Sequence, residues 1–208
     1  MSRQPPQVAV YIDWQNTYKA ARVAFGLEAM PNEYGNFSPY RLARILARGN
    51  GRGESVDLVR LEIHRGLPSS TRDPIGYGAN RRQAAAWMKE NPEIVIPRLR
   101  PLRYPRDPQE PPVEKGIDVQ LGVAALEHVL TGRCDVAIIF SHDTDLLPVV
   151  EALVRLRGAP CVETAAWTSP SFMSRLRPRT GPRVFHHEIT EEIFNGIATP
   201  INFAYRGI

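Results

Sequence analysis

Short apolar runs alternate with segments of helical character along the chain, and glycine, proline or polar residues separate them. The runs Val8–Ile12 and Val136–Phe140 are uninterrupted, which is typical of strands buried on both faces of a parallel sheet. Three further strands are predicted over Val56–Ile63, Ile94–Leu102 and Cys161–Ala165. The apolar pattern therefore predicts a sheet of about five strands.

Helical segments fill the intervals between these strands. Ser38 and Pro39 predict a helix N-terminus, because a serine oxygen caps free N–H groups and proline fits the first turn. Helices are predicted over Thr17–Phe25, Ser38–Gly49, Ala79–Asn91, Asp118–Leu130, a segment that ends at Gly158, Ser169–Leu176 and Glu188–Phe194. The fourth of these is expected to bury a stripe formed by Val119, Val123, Leu126 and Leu130.

The alternation of strands and helices predicts an α/β fold. Helices are expected on both faces of a mainly parallel sheet, which makes three layers. A length of 208 residues suits one domain of this kind. We expect residues 1–178 to form that domain and residues 179–208 to form a C-terminal extension packed on it.

Composition changes this picture mainly through its cations. Of the 26 basic residues only Lys19, Lys89 and Lys115 are lysine, which leaves 23 arginines, and arginine matches the geometry of phosphate. A bias toward arginine codons explains the composition equally well. The sequence contains neither a membrane-spanning run nor a hydrophobic N-terminal signal, and its two cysteines are too few for a disulfide framework. We therefore expect a cytoplasmic protein that does not bind membranes.

Basic and acidic residues are separated along the chain. Residues 41–106 contain 14 basic and 6 acidic residues, whereas residues 107–163 contain 4 basic and 10 acidic residues. The basic part could contact a polyanion while the acidic part holds a cation, and two solvated faces would give the same pattern.

Carboxylates follow the two most apolar predicted strands. Asp13 comes directly after the first strand, and Asp143 and Asp145 closely follow the fourth. The carboxyl ends of parallel strands share one edge of the sheet, where α/β folds bind their ligands. Asp118 joins this group if its loop reaches the same edge. Each aspartate alone could instead cap a helix or begin a turn.

Four carboxylates at one edge require compensating positive charge, because like charges disfavour ionisation. Mg²⁺ and Mn²⁺ prefer oxygen ligands and bind through a few carboxylates together with water and substrate phosphate. Two such ions can activate a water and stabilise the leaving oxygen of a phosphodiester. The carboxylates therefore indicate a site for Mg²⁺ or Mn²⁺.

Three segments resemble the motifs of one known family. Tyr11–Asn16 resembles the opening of the NYN domains, a PIN-like nuclease group in which an apolar strand ends in Asp with Asn three residues later. Glu114–Val119 is similar to the family's lysine-glycine-aliphatic-aspartate segment. Ser141–Val150 is similar to its serine-glycine-aspartate-serine-aspartate block. The ordered set covers roughly Val8 to Val162 and is more specific than any single match.

This resemblance implies a PIN-like fold and metal-dependent cleavage of RNA. It carries Asp13, Asp118, Asp143 and Asp145 over as the acidic cluster that is both catalytic and metal-binding, with Asn16 as a nearby polar partner. It also suggests products with a 5′-phosphate and a 3′-hydroxyl.

The chain departs from the family pattern at His142, which stands where the family has glycine. A side chain there crowds the turn if the backbone needs a positive φ. Three orientations of His142 are open, namely outward into solvent, against substrate, or onto a metal. We expect Asn16, Ser141 and His142 to contact substrate or to orient ligands.

Arginines from the basic part of the chain are candidates for binding RNA phosphates. Arg81 and Arg82 are predicted to contact substrate, and Arg98, Arg100 and Arg103 could extend the same track or simply be solvated. Trp87, Tyr77 and Tyr104 could stack on unpaired bases, with Trp87 more typical of a core residue.

These observations predict a metal-dependent endoribonuclease that acts on single-stranded RNA. The alternative is an RNA-binding or regulatory module with the same fold and no catalytic activity. An aspartyl phosphatase is disfavoured, because Asp13-Trp14-Gln15 lacks the second aspartate that such an enzyme places after its first strand. The sequence leaves open whether the chain forms a homodimer or binds a protein inhibitor.

Overall fold

A seven-stranded sheet lies at the centre of the molecule, which a computed structural model describes over residues 4–53, 55–107, 109–173, 176–178 and 181–205. Its strands are β1 (Gln7–Asp13), β2 (Asp57–Leu67), β3 (Val95–Pro101), β4 (Val136–Phe140), β5 (Val162–Ser169), β6 (Phe172–Met173) and β7 (Phe185–Ile189). Strands β3, β2, β1, β4, β5 and β7 lie side by side in that order and run parallel, whereas β6 pairs antiparallel with the end of β5.

Helices cover both faces of this sheet. In the described part of the chain they are α1 (Trp14–Ala24), α2 (Pro39–Arg48), α3 (Pro74–Glu90), α4 (Ile117–Leu130), α5 (Leu147–Arg157) and α6 (Glu191–Ile197). Ser38 caps α2 as predicted, since its Oγ accepts the Arg41 N–H at 3.1 Å. None of the described helices is long and apolar enough to cross a membrane.

Alternation along β1 separates two hydrophobic cores. Val8, Val10 and Ile12 pack in a core with residues of α1, α2, α3 and α6, whereas Ala9 and Tyr11 pack in a second core with residues of α4 and α5. Successive side chains of a strand point to opposite faces, so a fully apolar strand needs cover on both sides. The predicted three-layer α/β fold is confirmed, with a slightly larger sheet than the five strands expected.

The segments after β5 differ most from the prediction. The helix expected over Ser169–Leu176 is wrong: Ser169 ends β5, and β6 returns antiparallel after a tight turn at Pro170 and Ser171. Proline and serine suit such a turn as well as a helix start. The end of the predicted helix includes residues 174 and 175, which lie outside the described residues. The helix expected over Glu188–Phe194 begins later, because its first residues belong to β7.

The buried face of α4 also differs from the predicted stripe. Val119 is 68% exposed, Val123 is 58% exposed and Leu130 is 44% exposed, so the prediction is wrong for these three residues, whereas Leu126 is half-buried and packs against the second core. The apolar residues that α4 buries fully are Ile117, Leu121, Ala125 and Val129. This face packs in the second core, and the helix composition alone, which is apolar nearly all round, does not distinguish the two faces.

Glu163, near the start of β5, is the centre of a buried polar network. Arg52 donates from Nη1 to Oε1 at 2.6 Å and from Nη2 to Oε2 at 2.8 Å, and Asn50 Nδ2 donates to Oε1 at 2.7 Å. His187 Nε2 lies 2.7 Å from Oε2. Burial by itself raises the pKa of Glu163, but the hydrogen bonds from Arg52, His187 and Asn50 outweigh it and lower the pKa to about 2.

This network predicts an acid-dependent part of the stability. Because the folded pKa of Glu163 lies below the usual 4.5, its contribution is fully present above pH 4.5 and is lost as the pH falls toward 2. We expect Glu163→Gln to lower the free energy of unfolding by roughly 3 kcal/mol at pH 7, and by much less near pH 3. Urea denaturation at both pH values measures this difference. Glu127→Gln, which alters an exposed ion pair with Arg133, is the control and should show no such pH dependence.

Candidate functional site

The carboxyl ends of β1 and β4 bring the first candidate residues together. The two strands are neighbours, and Ile12 pairs with Phe140, so Asp13 and Ser141 leave the sheet at the same edge. Asp13 caps α1 by accepting the Asn16 N–H at Oδ1, 3.2 Å away. The Asp13 carboxylate can therefore cap α1 and also belong to the candidate site.

Side-chain hydrogen bonds join the turn after β1 to the turn after β4. Asn16 Oδ1 accepts the His142 N–H at 2.7 Å. The Ser141 hydroxyl lies 3.3 Å from Asn16 Oδ1 and 3.4 Å from Asp13 Oδ2, and its oxygen accepts the Asp143 N–H at 3.1 Å. These bonds hold both turns in one arrangement, so Asn16 and Ser141 orient the neighbouring carboxylates.

A pocket of about 210 Å³ opens at this edge. Its lining consists of Asp13, Gln15, Asn16, Lys19, Glu114, Ile117, Asp118 and Asp143. Gly116 precedes α4 with a φ of 74°, a left-handed conformation that glycine adopts without strain, and it directs the first turn of the helix toward the pocket. The structure thus brings together three of the four predicted aspartates.

Asp145, the fourth predicted aspartate, is exposed and lies outside the lining of this pocket. Its backbone N–H donates to Asp143 Oδ1 at 2.9 Å, which caps the short 3-10 helix Thr144–Leu146. The charge of Asp145 nevertheless acts on the site, because it contributes to a raised pKa of Asp118.

Two charged lining residues, Glu114 and Lys19, were not predicted from the sequence. Glu114 Oε1 accepts the Gly66 N–H at 2.6 Å, and a Cβ at position 66 would lie 2.7 Å from the same oxygen, so the contact requires glycine there. Glu114 stands four residues before Asp118, within the segment that resembles the family motif. Lys19 stands one helical turn after Asn16, and this spacing would have indicated that it faces the same way.

Burial and, to a smaller extent, neighbouring negative charge raise the pKa values of the carboxyl groups of Asp13 and Asp118. Burial raises the pKa of Asp13 to about 7, with further increases from Asp118, Glu114 and Asp143, while the Asn16 backbone hydrogen bond opposes them. Burial also raises the pKa of Asp118, as do Asp143, Glu114 and Asp145, and a hydrogen bond with Asp13 opposes this. A bound cation would relieve this repulsion.

The oxygen atoms that line the carboxylate pocket are of the types that bind divalent cations. Across the described residues, no three Asp, Glu, His or Cys side chains are already grouped so that they could hold a metal ion. The oxygens that line the pocket are nevertheless carboxylate and amide oxygens, the types that Mg²⁺ and Mn²⁺ prefer. Mg²⁺ keeps several waters and commonly uses only one or two carboxylates, so the pocket fits a hydrated ion.

His142 faces the protein interior. Its Nε2 accepts the Trp167 N–H at 3.2 Å, and its ring packs at 5.3 Å from that of Phe172. Burial lowers its pKa to about 4, so the ring is neutral at physiological pH, and its buried Nδ1 has no hydrogen-bond partner. His142 does not line the carboxylate pocket, and the outward orientation into solvent is wrong. The backbone at His142 does not have a positive φ, so this turn does not require glycine.

The arginines predicted to bind RNA lie outside the carboxylate pocket. Arg81 is exposed on α3, and Arg82 donates to the main-chain carbonyls of residues 203 and 204. Arg98 pairs with the buried carboxylate of Glu62 at 2.9 Å. Trp87 is a core residue, as its alanine-rich surroundings indicated.

Fold and site together define an α/β protein with an acidic pocket at the carboxyl edge of a parallel sheet. A family model described as "NYN domain" matches residues 7–177, and the chain belongs to the NYN domain family. Members of this family are generally nucleases that act on RNA and typically use divalent metals, which supports a ribonuclease-like domain here.

One solved structure illustrates how this fold recurs. A protein of unknown function, VPA0982 from Vibrio parahaemolyticus RIMD 2210633, is 20% identical to this chain and superposes with a TM-score of 0.53. The match covers 84% of this chain and 88% of that one, and it supports the fold alone. The comparison with curated proteins gives no match.

Proposed function

We propose that this protein is a metal-dependent endoribonuclease that hydrolyses phosphodiester bonds of single-stranded RNA. The observation that carries the proposal is the convergence of Asp13, Asp118 and Asp143 in one open pocket at the carboxyl edge of the sheet. Membership of a family of nucleases supports the same conclusion. The phosphodiester is expected to bind at the mouth of this pocket.

The three aspartates would hold one or two Mg²⁺ or Mn²⁺ ions. A bound ion supplies positive charge to the phosphate oxygens and lowers the pKa of a nearby water. Without such an ion the carboxylates would repel a phosphodiester, because several like charges line the same pocket. The site is therefore proposed to bind RNA productively only together with a divalent cation.

Neighbouring residues of the chain would orient these carboxylates. Asn16 fixes the turn after β4 by accepting a hydrogen bond from the His142 N–H. The Asp145 N–H fixes the Asp143 carboxylate by donating a hydrogen bond to its Oδ1. Lys19 is exposed at the pocket and can approach a phosphate of the substrate. Preorganised groups of this kind cost no rearrangement during the reaction.

A second candidate is an RNA-binding module of the same fold without catalytic activity. The observation that favours it is the lack, among the described residues, of three metal-ligating side chains already grouped together. It predicts RNA binding that weakens with salt and no cleavage with any metal.

A panel of end-labelled RNAs incubated with Mg²⁺, Mn²⁺ or EDTA distinguishes these candidates. We expect cleavage of unpaired segments with Mn²⁺ or Mg²⁺ and none with EDTA. Without the cation, the negative charge of the carboxylates in the pocket is not offset. The chemical ends of the RNA products are then mapped, which tests the expectation of a 5′-phosphate. Binding without cleavage under every metal condition would favour the non-catalytic module instead.

A further inference from the structure

A continuous groove extends from the carboxylate pocket along the edge of the sheet. The carboxylate pocket adjoins a second pocket of about 600 Å³, and a third of about 520 Å³ lies beyond it. Gln15 lines all three, Lys19 lines the first two, and Arg65 lines the second and third. Together these pockets have room for more than one nucleotide.

Arg65 is a buried cation in this groove. It follows His64, the β2 residue that pairs with Asp13, and it is only 9% exposed. Its guanidinium lies 6.0 Å from the ring centre of Trp14 and 5.8 Å from that of Trp87. The two indoles hold the guanidinium in place by packing and by cation–π attraction.

The guanidinium of Arg65 has unused hydrogen-bonding capacity. Nη1 donates to Gln83 Oε1 at 2.5 Å, but the buried Nε has no partner. Among the described residues, none of the salt bridges involves Arg65. Burial lowers the pKa of Arg65 to about 10, partly offset by Glu114, and the group stays charged at neutral pH.

A buried charge without an ion-pair partner is costly for folding. An apolar side chain of similar length would fill the same space beside the two indoles without this cost. A planar guanidinium, however, presents paired N–H donors that match a phosphate. The retained charge next to two open pockets therefore points to an anionic ligand rather than to packing.

We propose that Arg65 binds a backbone phosphate of the RNA strand while another phosphate of that strand lies at the carboxylate pocket. This inference rests on the proposed function, since it assigns the second contact of the same substrate. Arg65 is then a substrate-binding residue, and Lys19 lies between the two contacts because it lines both pockets. The site would select polynucleotides over mononucleotides.

Binding of a labelled ten-nucleotide single-stranded RNA in EDTA measures the Arg65 contact alone, without cleavage and without the cation that the carboxylate pocket requires. We expect Arg65→Gln to weaken binding by about 10- to 100-fold, the effect of losing a charge-assisted hydrogen bond. The slope of log affinity against log salt should become shallower by about 0.7, as one phosphate contact is lost. Arg65→Lys keeps the charge and should retain the slope while binding several-fold more weakly.

Arg155→Gln is the matched control. It removes the same charge from an exposed position in the last turn of α5, at the opposite edge of the sheet, and should leave affinity and slope unchanged. Circular dichroism checks folding, and Arg65→Lys carries the test if Arg65→Gln does not fold. Wild-type affinity and slope in the folded Arg65 variants would overturn the subsite.

Cleavage assays separate this inference from the proposed activity. In the presence of Mn²⁺, the subsite predicts a raised KM for RNA in Arg65→Gln with kcat little changed. A wild-type protein that binds RNA through Arg65 but never cleaves it would overturn the ribonuclease activity and leave the subsite standing. Normal cleavage with an unchanged KM in the variant would overturn the subsite and leave the activity standing.

Discussion

Replacing Asp143 with asparagine is expected to lower the rate of Mn²⁺-dependent RNA cleavage by about a thousand-fold or more, equivalent to several kcal/mol of transition-state stabilisation. The substitution removes one of the three aspartates that line the pocket. An asparagine oxygen can still accept the Asp145 N–H, which Asp143 Oδ1 now accepts at 2.9 Å. The turn should therefore persist while the charge that attracts the cation is lost.

Asp135→Asn provides a matched control for this experiment. Asp135 is exposed before β4, at the edge of the sheet opposite the pocket, and its Oδ2 accepts the Gln7 N–H at 2.8 Å. This variant loses the same charge and keeps the same kind of hydrogen bond, so its cleavage rate should equal that of the wild type. Full activity in Asp143→Asn, with an unchanged circular dichroism spectrum, would contradict the proposed catalytic role of Asp143.

Trp167→Ala is expected to lower the free energy of unfolding by about 3–5 kcal/mol, a large part of the stability of a typical domain. Trp167 is fully buried in β5, and four aromatic rings surround it with centroid distances of 4.8–5.7 Å, namely those of Phe25, Phe37, Phe140 and Phe194. Its Nε1 also donates to the Thr17 carbonyl at 2.8 Å. Alanine would leave a cavity and would remove the hydrogen bond to the Thr17 carbonyl.

Two further variants test the cause of this loss by urea denaturation. Trp167→Phe keeps an aromatic ring but loses the bond to Thr17, so we expect it to recover much of the stability and to remain about 1–2 kcal/mol below the wild type. Ile75→Ala truncates a side chain that is 68% exposed, and should change stability by at most about 0.5 kcal/mol. Equal unfolding midpoints for Trp167→Ala and the wild type would contradict the cavity argument.

Local signals predicted the elements around the site more reliably than the elements at the C-terminal end of the sheet. The apolar runs of β1 and β4 need cover on both faces, and this requirement placed them inside a three-layer fold. Ser-Pro, by contrast, begins a helix at Ser38 and a hairpin turn at Ser169. The dipeptide fits both conformations, so the chain that follows and its packing decide between them.

Some residues of the site could likewise be predicted from the sequence, and others could not. Asp13 and Asp143 could be predicted because each follows an apolar strand, and parallel strands share an edge. Glu114 could not, since its place depends on a close approach to Gly66, 48 residues earlier in the chain. His142 turns inward because Trp167 offers its N–H, a contact across 25 residues.

The sequence by itself determined the order of strands and helices as far as β5, the edge of the sheet that carries the acidic residues and the family to which the chain is similar. Apolar runs, helix caps and motifs are properties of neighbouring residues, so they can be read along the chain. Only the tertiary structure decided which carboxylates line the pocket, which face α4 buries and that Arg65 lies beside two indoles. These features depend on contacts between distant segments, which form only when the layers pack together.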